Sequence, residues 1–164
     1  MHTLIPIAME LATHLKQRRE TVAVAESSAG GLIAAALLSV PGASAYFLGG
    51  AVVYTRAARR ALIGISDEQM RGLRSSSEPY ATLLAATIRE RHGATWGLAE
   101  TGATGPSGNR YGDAAGHACI AVAGPQVSVQ TLETAIADRE ANMRAFARAA
   151  LEALLAAIKV ARQV

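Results

Sequence analysis

A chain of 164 residues, half of them hydrophobic, suffices for one domain with a proper core. The formal net charge is +3, but the basic residues are scattered and aromatics make up 4% of the chain, so no stacking platform for nucleic acid is expected. No apolar run reaches the length of a membrane span, no signal-peptide pattern opens the chain, and a single cysteine, Cys119, excludes an internal disulfide; these features point to a cytoplasmic protein without a nucleic-acid or membrane partner.

Leu4, Ile7, Ala8, Leu11 and Leu15 recur at helical spacing and predict an amphipathic N-terminal helix. Thr21 to Ala25 reads as a short buried strand, and Leu32 to Leu38 as a buried helix. Pro41-Gly42-Ala43-Ser44 marks a turn. Tyr46 to Thr55 reads as a strand, with a bulge or close backbone approach at Gly49-Gly50. Arg56 to Leu62 is helical. Ser66-Asp67-Glu68-Gln69 is a capping-box pattern that predicts another short helix. Ser77-Glu78-Pro79 starts a longer helix with Tyr80, Leu83, Leu84, Thr87 and Ile88 on its apolar stripe and Gly93 at its stop. Trp96 to Ala99 is a short strand, and Glu100 to Gly116 a glycine-rich irregular loop. Two strands, Gly116 to Ala123 and Val127 to Leu132, flank the turn Gly124-Pro125. Asp138 caps a final helix. The alternation predicts a single α/β domain over residues 1–164, a three-layer α/β/α arrangement around a central mixed sheet.

The most informative stretch is Ala25-Glu26-Ser27-Ser28-Ala29-Gly30-Gly31, at a strand-to-helix turn. The first turn of a helix offers unpaired N–H groups and a partial positive charge, and glycine lets a ligand approach the backbone. Such a turn can hold a phosphate or stabilise an oxyanion beside a serine nucleophile. The plainer alternative is a helix cap by Ser27 or Ser28. The second loop carries Thr101, Gly102, Thr104, Gly105, Ser107 and Arg110, a backbone-lined surface with hydroxyls and a cation. Neither loop is a Walker motif or a dinucleotide fingerprint. The histidines are dispersed, so no metal site is expected; no cofactor is implied. His117 either lines the pocket or is a structural histidine, and Cys119 reads as an inert buried thiol.

These residues carry a resemblance. Ala25 to Gly31 is similar to the Ala-Glu-Ser-Cys-Thr-Gly-Gly motif of the CinA C-terminal domain family, which includes the nicotinamide mononucleotide deamidases. Pro41-Gly42-Ala43-Ser44 with Phe47 and Gly49-Gly50, then Tyr54-Thr55, Ser77-Glu78, Thr101-Gly102-Ala103-Thr104-Gly105-Pro106, Gly116 and Asp138-Arg139 resemble the family's further segments in order. The resemblance implies hydrolysis of the carboxamide of nicotinamide mononucleotide, and a homodimer. It casts Ser27 as nucleophile and places the family's lysine base at Arg59. Glu26, Ser28, Gly30, Gly31, Thr101, Gly102, Thr104, Gly105 and Arg139 become candidate substrate contacts, and Tyr54 a candidate catalytic group.

Arg59 is the main departure from that pattern. A desolvated lysine can lose its proton and activate a serine, whereas arginine stays protonated. The chain has two lysines, Lys16 and Lys159, against fourteen arginines, and both lie toward the termini. Three roles for Arg59 follow: a cation in an impaired amidase, a phosphate ligand in a non-catalytic nucleotide-binding protein, or a solvent-facing residue with no role.

Overall fold

The computed structural model describes residues 1–161. The last three residues of the domain expected over 1–164 lie outside the described residues. The chain forms α1 (Ile5–Arg18), β1 (Val22–Glu26), α2 (Leu32–Leu38), β2 (Phe47–Val52), α3 (Arg56–Ile63), α4 (Glu78–His92), β3 (Trp96–Ala103), β4 (His117–Ala123), β5 (Ser128–Glu133) and α5 (Arg139–Val160). The sheet order is β2-β1-β3-β4-β5, with β1 parallel to β2 and β3 and the last two pairings antiparallel. The sheet is therefore mixed, with helices on both faces, as the alternation predicts.

Alternation along the strands sends two different cores to the two faces. Val22, Val24, Trp96, Leu98, Ile120 and Val122 pack with α1, α2 and α5. Ala23, Ala25, Ala99, Cys119 and Ala121 pack with α4 and the end of α3. The second face is built from small residues, so α4 sits close to the sheet. Gly97 shows how close: a Cβ there would meet the Ala85 carbonyl carbon at 3.0 Å and the Arg89 Cβ at 2.7 Å. Cys119 is 1% exposed, the buried thiol that its apolar strand predicts.

The helix ends follow their local chemistry. Thr55 caps α3 through the Ala58 N–H (3.0 Å), and Asp138 caps α5 through that of Ala141 (2.7 Å). Gly64 and Gly93 close α3 and α4 at φ of 69° and 59°, where a side chain is strained. The expected irregularity in β2 appears as a register slip: Val22 pairs with Phe47, but Ala23 pairs with Gly49.

Three boundaries differ from the sequence reading. β2 stops at Val52, so Tyr54 and Thr55 form a loop before α3. The capping box forms, with Ser66 N–H to Gln69 Oε1 at 2.9 Å and Gln69 N–H to Ser66 Oγ at 3.2 Å, but it closes turns rather than a helix. Its segment lacks an apolar stripe long enough to reward continued winding. β3 runs through Glu100, Thr101 and Gly102 to Ala103, so these are strand residues. Their polarity hides the strand, but each is paired to β4.

Candidate functional site

Strand order places one crevice at the carboxyl end of β1. From there α2 returns the chain on one face toward β2, and α3 and α4 cross the other face toward β3. Ligands of open α/β sheets lie at such a switch point. A cavity of about 410 Å³ opens there, within the range of small-ligand sites. Ser27 reaches it from β1, Val53 to Arg56 from the end of β2, Arg59 from α3 and Thr101 from β3. Asp67, Ser75, Ser76 and Tyr80 close one side, and Arg110 and Tyr111 of the second loop close another. Both glycine-rich segments thus border one cavity.

Ser27, Tyr54, Arg59 and Thr101 come together as cavity-lining residues. Glu26, Ser28, Gly30, Gly31, Gly102, Thr104, Gly105 and Arg139 are not among those lining it. Arg139 lies beside it: its guanidinium donates to the Tyr54 hydroxyl at 3.2 Å and to the Gly105 carbonyl at 2.8 Å. Thr104 is buried, and its carbonyl accepts from Asn142 Nδ2 at 2.9 Å.

The turn carrying Ser27 corrects the expectation of a free anion site at Gly30-Gly31. The Glu26 carboxylate accepts from the N–H groups of Gly31 (3.0 Å), Ile33 (3.0 Å) and Ala34 (2.7 Å). The protein's own carboxylate therefore occupies the N-terminus of α2. A second carboxylate, Glu100, accepts from the N–H groups of Ser27 (3.2 Å) and Ala29 (2.8 Å) and from the Ser28 hydroxyl (2.7 Å). Glu26 and Ser28 thus anchor the turn, and neither serine side chain caps α2. The alternation of β1 and β3 points both carboxylates to the α2 side of the sheet. Burial pushes the Glu100 carboxyl up to about 7, against the hydrogen bonds from Ala29, Ser28 and Ser27 and with the help of the nearby Glu26 charge. Burial likewise raises Glu26, opposed by its three amide donors.

Arg59 is buried at 6% exposure, which excludes the solvent-facing role. Its Nη2 donates to Asp67 Oδ1 at 2.9 Å. Arg56 grips the same carboxylate with Nε at 2.8 Å and Nη2 at 2.5 Å, and Arg60 stands 3.5 Å away. The Arg56 bonds hold Asp67 below the usual carboxylate range against a smaller opposing effect of desolvation, with Arg60 and Arg59 adding to the effect. Burial raises the Tyr80 phenol above its ordinary pKa, against the nearby positive charge of Arg59. Arg59 Nε is buried and has no hydrogen-bond partner.

The wall opposite is also tied down. Ser76 sits at φ 56°, a strained conformation for a side-chain-bearing residue. Its N–H donates to Thr101 Oγ1 at 3.3 Å and its carbonyl meets His117 Nε2 at 2.9 Å. His117 is therefore a structural histidine. Burial opposes its charge, but Glu133, the Ser76 carbonyl and Asp113 together hold its pKa above the ordinary value. Asp113 joins the second loop to this wall by accepting from Arg74 at 2.5 Å, and within the loop it accepts from Asn109 at 2.8 Å. The sequence reading missed Asp67, Ser75, Ser76 and Tyr80 as site residues. An acid four positions beyond the end of an arginine-rich helix is a weak signal for Asp67; Ser75, Ser76 and Tyr80 carry none.

Among the described residues no group of three histidine, cysteine or acidic side chains is placed to hold a metal ion, and no helix is long and apolar enough to cross a membrane.

A family model described as CinA C-terminal domain matches residues 5–158. A "CinA-like protein" of Desulfosudis oleivorans is 40% identical over 152 residues, covering 92% of this chain and 37% of that protein. Another, from Prochlorococcus marinus, is 45% identical over 111 residues, covering 68% of this chain and 26% of the relative. The chain thus spans roughly a third of the length of these curated relatives. A crystal structure of a competence/damage inducible protein from Agrobacterium tumefaciens superposes with a TM-score of 0.86 at 30% identity, covering 93% of this chain and 94% of the other. The competence damage-inducible protein A of Klebsiella pneumoniae gives 0.89 at 26% identity, covering 96% and 98%.

Proposed function

The chain belongs to the CinA C-terminal domain family, and from that premise we propose that its cavity binds a pyridine mononucleotide of the nicotinamide mononucleotide type, with Ser27 facing the carboxamide, and hydrolyses that amide slowly. One observation carries the reading: Ser27 opens into the same cavity as Tyr54, Arg59 and Arg110. Three lining arginines against one lining carboxylate, Asp67, give that cavity a net positive charge suited to a phosphate monoester. Ser27 attacks the carbonyl carbon, the C–N bond breaks as ammonia leaves, and water releases the acyl group as nicotinate mononucleotide. Arg59 stabilises developing negative charge but accepts no proton, so the step lacks the base that a lysine there supplies. The homodimer that the resemblance implies and the cytoplasmic setting to which the composition points belong to the same proposal.

A second reading, a nucleotide-binding protein without hydrolysis, is favoured by the Arg59–Asp67 pair, which fixes a protonated group at that position. Ammonia release from nicotinamide mononucleotide, compared between the wild type and Ser27→Ala, separates the two. Release that depends on Ser27 supports the amidase; ligand-induced thermal stabilisation without release supports the binder. Neither effect at millimolar ligand would overturn both.

A further inference from the structure

We infer that Arg59 makes this cavity select a carboxylate over a carboxamide, so that the ligand held most tightly is the mononucleotide of a pyridine carboxylate. The inference rests on the mononucleotide reading above. The first support is the state of Arg59 itself. It lines the cavity, is 6% exposed, and has a buried Nε with no acceptor. Buried donors are nearly always paired, so an unpaired one in a residue of the cavity wall leaves this guanidinium with donor capacity that Asp67 does not use. The second support is charge. Asp67 is shared by Arg56, Arg59 and Arg60, and Arg56 takes both of its oxygens. One carboxylate among three guanidinium groups leaves the cluster with surplus positive charge. Arg110 adds to it along the cavity wall.

The third support is the chemistry of the two ligand ends. A carboxylate presents acceptors on both oxygens and a full negative charge, which suits the guanidinium fork. A carboxamide presents one acceptor and an NH₂ that points donors at donors. With Ser27 and Arg59 on the same cavity, the group that faces the serine shares that cavity with the guanidinium donors of Arg59, Arg56 and Arg110. Arg59 is thus a specificity-determining residue, and the protein holds the hydrolysed form of the ligand better than the amide.

The test is calorimetric titration of the full chain with nicotinate mononucleotide and with nicotinamide mononucleotide, which share phosphate and ribose. The carboxylate should bind about tenfold or more tightly, the scale of a charged hydrogen bond. Arg59→Met should bring the ratio toward one, and Arg59→Lys should retain part of it; thermal melts establish that each variant is folded. If Arg59→Met does not fold, a severalfold smaller ratio in Arg59→Lys decides the matter. Equal wild-type affinities, tighter binding of the amide, or a ratio unchanged in the variants would overturn the inference. Equal weakening of both ligands by Arg59→Met would show that the guanidinium reads phosphate, overturning the inference while the mononucleotide reading stands. No binding of either ligand at millimolar concentration would remove both.

Discussion

Arg59 donates to Asp67 at 2.9 Å while keeping its own Nε unpaired, so a buried cation shares its counter-ion with two neighbours. The pairing fixes a permanently charged group where the family resemblance calls for a base.

Asp67→Asn is expected to lower the thermal midpoint and to tighten anion binding severalfold, because it removes the carboxylate that competes with a ligand for the three arginines. The destabilisation should grow with falling ionic strength. For the native protein the sign is set by the lowered Asp67 pKa: the contribution is present above the ordinary carboxylate range and is lost as pH falls through the folded-state value. Melts at several salt concentrations, with phosphate titrations, check both parts.

Ammonia release should be slow in the wild type, abolished in Ser27→Ala and raised in Arg59→Lys. Positioned acid–base groups supply about 10²- to 10⁴-fold in rate, and the lysine variant should recover part of that. Full recovery is not expected, since the pocket around position 59 is shaped by a guanidinium held by Asp67. Robust wild-type turnover lost in Ser27→Ala would show that another group serves as base.

Glu100 should make stability fall as pH rises. Its folded-state pKa of about 7 lies above the ordinary 4.5, so the folded protein keeps a proton that the unfolded chain has already lost. Stabilisation is complete below about 4.5 and disappears as pH climbs through about 7. Glu26, the charged neighbour on the same side, acts in the same direction. Glu100→Gln keeps the shape and lets the Ser28 hydroxyl turn to accept. The variant should match the wild type near pH 5 and exceed it at pH 8, read from denaturant unfolding at the two pH values. Equal pH dependence in both proteins would refute this account of Glu100.

Glu26→Ala should cost about 2–4 kcal/mol, since it strips three N–H groups at the start of α2 of their acceptor. Urea unfolding gives the number, and a loss under about 0.5 kcal/mol, typical of an ordinary surface change, would contradict the anchoring role.

The layers of the fold were legible because they follow from periodicity: the stripe of α4, the helix starts at Ser77 and Asp138, and the glycine stop at 93 are local signals. Of the residues that a motif named, Ser27, Tyr54, Arg59 and Thr101 line the one cavity. The cavity was obscure where its shape depends on contacts between distant segments. Glu26 and Glu100 lie 74 residues apart in the chain, and nothing local in either reveals that both turn toward one serine-bearing loop. The Ser76 conformation is likewise set by Thr101 and His117 from other strands. The polar run Glu100-Thr101-Gly102 reads as loop because strand propensity is low there, and pairing with β4 overrides it.

The two buried carboxylates under the Ser27 turn have a consequence for how affinity is apportioned. With Glu26 and Glu100 saturating the amides of Ser27, Ala29, Gly31, Ile33 and Ala34, the Ser27 turn is preorganised before any ligand arrives. Binding then spends little on ordering this part of the site. Those five amides should exchange slowly with solvent deuterium in the free protein, and a ligand should slow them hardly further. Differences in affinity between ligands then report contact chemistry at the cavity wall, undiluted by the cost of assembling the turn.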